Sequence, residues 1–330
     1  DIDALAQRRY IVGALATIGV LVSTVLIGTL AWLTFGLLGI GIGLAWCLVL
    51  GAVLAPTDPV AVLGILKSAG VPRSLETKIV GESLFNDGVA VVVFLVLVEA
   101  ASRGHVAPGA IALLFVQEAL GGALFGAALG WLAHRMLAGI DQYQVEILIT
   151  LAVVMGGYTL AHALHLSGPI AMVVAGLLLG HHQRDRAMSR QTRSHLDHFW
   201  ELADELLNAV LFVLIGLELL LLPFGPVELV AGLALIPVAL AARFAAVGLP
   251  LTFLRSFRRF SPGAVRILTW GGLRGGISVA LALSMPDGPA RELALPVTYC
   301  VVLFSLVVQG LTIGRVAPRL AGGPAADDEP

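Results

Sequence analysis

Ten apolar stretches succeed one another along the chain, at roughly 10–33, 37–66, 79–99, 110–133, 145–164, 168–182, 199–222, 227–254, 266–285 and 292–314. About 20 continuous apolar residues are what an α-helix needs to cross a hydrocarbon core about 30 Å thick. Transmembrane β-strands alternate in polarity over about ten residues, which these stretches do not. Only 13% of residues are charged, against about 25% in soluble domains, and mean hydropathy is +0.94. The expected class is an all-α polytopic membrane protein, with the lipid bilayer as its surroundings. The net charge of -2 argues against nucleic acid as a partner. The two cysteines, Cys47 and Cys300, lie inside apolar stretches and read as packed side chains rather than as a disulfide framework.

Sixteen of the 20 Lys and Arg residues fall in loops on one side. Arg103 and Arg291 fall on the other, and Arg243 and Arg274 lie inside segments. The positive-inside rule then places both visible ends, and the loops around Lys67–Lys78, His181–Arg193 and Arg255–Arg266, in the cytoplasm. A transmembrane domain is expected over 1–314 and a cytoplasmic tail over 315–330.

Two of the stretches are interrupted. Pro56-Thr57-Asp58-Pro59 sits inside the second, where proline removes a backbone donor and clashes with the preceding turn. Gly271-Gly272-Leu273-Arg274-Gly275-Gly276 sits inside the ninth. Non-helical backbone at membrane depth survives only when buried in protein or lining a cavity. The first three segments enter from inside and the last three from outside, and the middle member of each trio is broken. Paired interruptions in oppositely oriented halves point to a transporter site.

The third stretch carries the acidic group Glu82-Ser83-Leu84-Phe85-Asn86-Asp87. Ser83 and Asp87 are four residues apart, as are Glu82 and Asn86, so the two pairs share one broad helical face. Asp58 and Asp87 are both placed near the middle of the membrane, where acids are costly and mark function. Carboxylate, hydroxyl and freed carbonyl oxygens suit a hard cation. Burial favours the protonated carboxyl, so a proton competes with the cation. Either Arg243 or Arg274 can balance Glu82. The other arginine fits the carbonyl end of a broken helix, where the dipole is negative. The Gly121-Gly122, Gly126 and Gly130 series reads as close helix packing.

Thr57-Asp58-Pro59, then Glu82-Ser83-x-x-Asn86-Asp87-Gly88, then Gly272-Leu273-Arg274-Gly275-Gly276, in this order, resemble the monovalent cation/proton antiporters, and among them the NhaP-like Na+/H+ exchangers. The resemblance implies an inverted-repeat, NhaA-like fold with two crossed, unwound core helices and a dimerisation domain. Core helices then fall near 10–99 and 227–314, and the helices of 110–222 belong partly to the core and partly to dimerisation. It implies that Asp87 alternately binds proton and cation, that Ser83 and Thr57 help ligate Na+, and that Asp58 and Asn86 hold the unwound region. Glu82, Arg243 and Arg274 become structural, charge-balancing residues. The Asn86-Asp87 pair implies electroneutral exchange in a homodimer of a prokaryotic cell membrane, without cofactor. Members usually have twelve or thirteen helices, so about three are expected before Asp1. Three other functions stand beside this one: exchange selective for K+, a cation channel, and an intramembrane enzyme. The channel and the enzyme are disfavoured, because the acids belong to one asymmetric pocket with embedded arginines.

Overall fold

The computed structural model describes residues 13–58, 73–104, 108–138, 140, 142–182, 190–222, 224–254 and 264–320. The loops around Lys67 and Arg255, the far half of the first interrupted stretch and the tail beyond 320 lie outside these residues. Twelve helices are described: α1 Leu15–Leu37, α2 Leu44–Leu54, α3 Arg73–Arg103, α4 Pro108–Leu137, α5 Tyr143–Ala163, α6 Gly168–His182, α7 Arg190–Leu221, α8 Pro226–Leu254, α9 Ala264–Trp270, α10 Gly276–Leu283, α11 Pro289–Phe304 and α12 Leu311–Leu320. A π-wound turn, Ser305–Gly310, joins the last two, and α1 opens with another, Leu15–Gly19.

Among the described residues, six helices are long and apolar enough to cross a membrane, and Leu44–Leu54 and Gly168–Gly180 are shorter apolar helices. Several of the stretches drawn from the sequence have other bounds as helices. The stretch at 37–66 starts as helix only at Leu44 and stops at Leu54, a rod of about 17 Å at 1.5 Å per residue. The stretch at 266–285 is split into α9 and α10. The α6 helix has only 15 residues. The α7 helix starts at Arg190, well before the apolar part at 199. The last stretch, drawn to 314, continues helical to Leu320.

The chain divides into two compact units. One gathers α1–α3 and α8–α12. In it α1 packs against α2 and α8, and α8 against α11. The fit of α1 to α2 is close because glycine faces backbone: a Cβ on Gly51 would overlap the Thr24 carbonyl oxygen, and one on Gly28 would come within 2.7 Å of Leu48 Cα. Small residues allow such approach where lipid gives helices no hydrophobic reason to associate. From Val49 to Ala55 every residue of the α2 end is buried.

The other unit spans Ala107–Glu218. Its α4 and α6 meet along the glycine series: a Cβ at Gly122 would reach the Ser167 oxygen at 2.7 Å, and one at Gly130 would reach Ala175 Cα at 3.0 Å. Its outer surface carries Leu113, Leu124 and Trp131, each more than 60% exposed. Such a surface suits contact with lipid chains. A cavity of about 290 Å³ lies among α5, α6 and α7, lined by Thr150, Met172, Leu179, Asp197 and Trp200.

Candidate functional site

The two interruptions meet. Past α2 the chain runs extended, and Asp58 and Leu273 form an isolated antiparallel bridge, with the Asp58 N–H donating to the Leu273 carbonyl at 2.8 Å. The reasons are local. Pro59 biases the residue before it toward extended backbone. Around Leu273, four of the six residues from Gly271 to Gly276 are glycine, each costing a helix about 1 kcal/mol relative to alanine.

Each break frees backbone groups that the membrane interior cannot hydrate, and the partners of these groups form the frame of the site. The Ala55 and Pro56 carbonyls accept from Arg274 Nη1 at 2.6 and 3.1 Å. The Leu268 carbonyl, in the last turn of α9, accepts from Arg243 Nη2 at 3.4 Å. Both embedded arginines therefore sit at the carbonyl ends of half-helices, where a positive charge faces the negative end of the dipole. At the opposite pole, Asp58 lies against Gly275, the residue that caps the amino end of α10, so closely that a Cβ there would overlap its carboxylate. A carboxylate at a helix amino end is the complementary arrangement. Gly272 is constrained likewise, since its Cβ would meet Arg243 Nε at 2.6 Å.

The acidic face of α3 completes the site. Asn86 Nδ2 donates to Thr57 Oγ1 at 2.8 Å. Both residues are about 99% buried, and Ser83, one turn earlier, is 3% exposed. Asp58 and Asp87 are half-buried. Thr57, Asp58, Asn86, Arg243 and Arg274 are thus tied to the crossing directly, and Ser83 and Asp87 flank Asn86 on the same helix. The Glu82 side chain, and with it the expected ion pair, lies outside the described residues.

A polar group not singled out from the sequence supports the crossing from behind. Ser305 Oγ accepts from the Arg274 N–H at 2.8 Å and donates to Gln309 Oε1 at 2.6 Å. Gln309 Nε2 donates to the Trp270 carbonyl at 3.1 Å, and the Trp270 indole donates to Thr312 at 3.0 Å. Its signal was present: Gln309 is the one amide in the last apolar stretch. Glu146, fully buried at the start of α5, is an acid not singled out from the sequence.

Two breaks meeting in the membrane, one at the end of α2 and one between α9 and α10, with buried arginines on the carbonyl ends of α2 and α9 and a carboxylate on the amino end of α10, define the core of a helical secondary transporter. Residues 1–318 match the family model described as sodium/hydrogen exchanger, transmembrane, and the chain belongs to that family. It is 54% identical over 336 residues to the Na(+)/H(+) antiporter NhaP of Pseudomonas aeruginosa, covering all of this chain and 79% of that protein. It is 37% identical over 321 residues to the Na(+)/H(+) antiporter NhaH of Halobacillus dabanensis, covering 96% and 77%. The solved sodium proton antiporter MjNhaP1 of Methanocaldococcus jannaschii superposes with a TM-score of 0.78 at 21% identity, over 98% of this chain and 81% of that one. The inverted-repeat antiporter fold expected from the sequence is therefore the fold present, in a multi-pass membrane protein.

Proposed function

We propose that the protein is a secondary antiporter exchanging Na+ for H+ by alternating access, with Asp87 as the group that binds one or the other. The observation that carries this is the Asn86–Thr57 hydrogen bond at the crossing, which ties the acidic helix to the broken one beside Asp87. A hydroxyl oxygen has two lone pairs. In Thr57 one accepts from Asn86 and the other is left for a cation. Ser83 adds a second hydroxyl and Asp87 the charge. Oxygen donors of this kind suit a hard monovalent cation. Relatives named as Na(+)/H(+) antiporters, similar over nearly the whole chain, support sodium as the cation; Li+ and K+ are the competitors to test against it.

With neutral Asn86 beside it, Asp87 carries one proton or one Na+, and the site has the same charge in both loaded states. Exchange is then one for one and electroneutral. Asp58 and Arg274 stay in place as opposite charges on opposite half-helix ends and do not turn over. The protein works as a homodimer in the cell membrane, the second unit making the contact, with both visible chain ends in the cytoplasm. Nothing in this cycle makes or breaks a covalent bond apart from proton transfer, so no enzymatic activity is assigned.

The test uses full-length protein in liposomes with an internal pH dye, an imposed proton gradient and a clamped voltage. Saturable, voltage-indifferent dequenching by Na+, lost in Asp87→Asn with the protein still folded, is the expected result. Exchange retained in Asp87→Asn would sink the assignment. Uncoupled, non-saturating cation flux would favour a channel.

A further inference from the structure

We propose that Gln309, acting through Ser305, is a positioning residue for the cation site, setting Na+ affinity and selectivity from the far side of the helix crossing. This rests on the exchange reading above.

The two side chains span the break in the α9–α10 helix. The Gln309 carboxamide uses both ends: Nε2 holds the carbonyl of Trp270, the last residue of α9, and Oε1 accepts from Ser305. Ser305 in turn accepts the N–H of Arg274, two residues before α10 begins. Gln309 and Ser305 are 3% and 0% exposed. Buried polar groups persist in such a place only when hydrogen-bonded, and here the bonds go to the backbone on both sides of the gap.

The local winding makes this reach possible. In a regular helix a serine hydroxyl commonly bonds back to the carbonyl four residues earlier. Ser305 opens the π-wound turn Ser305–Gly310, and its hydroxyl is turned to Gln309 and Arg274 instead. Single π-turns inside helices concentrate at functional sites.

From Arg274 the chain of contacts continues into the site. Its backbone is held by Ser305 and its guanidinium holds Ala55 and Pro56, the two residues before Thr57. Leu273, its neighbour, holds the Asp58 N–H. Arg243, Arg274 and Gln309 also line one small void of about 10 Å³, so both arginines and the amide share one packed environment. Losing the Gln309 clamp frees the break to shift, and the shift arrives at Thr57 and Asp58. A change of a few tenths of an ångström among oxygen ligands alters cation preference more than it alters turnover.

The test compares Gln309→Leu, Ser305→Ala and the double variant with wild type, as full-length protein in liposomes. Thr312→Val serves as control, since it removes the Trp270 indole's partner but leaves both clamps on the break. Loss of one such hydrogen bond corresponds to about a tenfold change in an equilibrium constant. The expected result is an apparent Na+ KM about tenfold higher in both single variants. The Li+/Na+ KM ratio shifts and the maximal rate is largely kept. The double variant is no worse than the weaker single, because both lie on one chain of contacts, and Thr312→Val keeps the wild-type KM. Wild-type KM and ion ratio in Gln309→Leu and Ser305→Ala, or an equal change in Thr312→Val, overturns the proposal while leaving the exchange reading intact. If Gln309→Leu does not fold, Ser305→Ala decides alone. Absence of exchange in the wild type overturns both.

Discussion

Thr57→Val is the substitution that most directly probes the joint between the two broken elements. Valine matches threonine in shape, so packing is conserved while the hydroxyl is lost. Asn86 Nδ2 then loses the acceptor it reaches at 2.8 Å, in surroundings where both side chains are about 99% buried. Leaving a buried donor unsatisfied costs about 1–3 kcal/mol. In the exchange reading proposed above, a cation ligand is lost as well. Charged to the cation-bound state, 1–3 kcal/mol is a change of about 5- to 150-fold in affinity. Initial rates of dye dequenching against external Na+ should therefore show an apparent KM raised within that range. Thr57→Ser keeps the hydroxyl and should stay close to wild type. Thermal unfolding in detergent supplies the complementary reading, because any part of the cost borne without cation appears as a lower Tm. A Thr57→Val protein with a Na+ KM within twofold of wild type and an unchanged Tm would refute both the ligand role and the energetic value of the Asn86 bond.

Asn86→Asp places a second titratable acid beside Asp87 and removes the amide donor to Thr57. The expected outcome is exchange that responds to membrane voltage, checked by repeating the dye assay at two clamped potentials; voltage indifference would show that charge stoichiometry is not set by this pair. Arg274→Gln removes a buried charge that makes two hydrogen bonds to carbonyls. Bonds to charged groups contribute about 1.5–3 kcal/mol each, so a loss on the order of 3 kcal/mol should lower the Tm clearly and abolish exchange, whereas a wild-type Tm would show that the carbonyl contacts contribute nothing.

Much of this was legible along the chain because the bilayer enforces it. A long apolar stretch must be a helix there, since no water is present to satisfy an exposed backbone. Pro56, Pro59 and the glycines around Leu273 have to break such helices, because ring and missing side chain act on their own residue whatever lies nearby. Ser83, Asn86 and Asp87 fall on one face because 3.6 residues make a turn. The motifs Thr57-Asp58-Pro59 and Glu82 through Asp87 were enough to single out the acids.

Pairing in space was not legible, because it depends on where separate helices come to rest. Sequence left either arginine free to sit at a carbonyl end; packing puts both there, Arg274 on Ala55 and Pro56 and Arg243 on Leu268. Nothing local announces that Asp58 bridges to Leu273 more than two hundred residues away. Nor does it announce that Ser305 and Gln309 turn toward the second break, since their roles depend on a π-wound turn and on a neighbour brought in by folding. The sequence determined that this chain lies in the membrane, where its helices break and which acids share a face beside the first break. Tertiary structure alone decided which freed backbone group meets which side chain, because hydrogen bonds act over about 3 Å and only the packed helices set distances that fine.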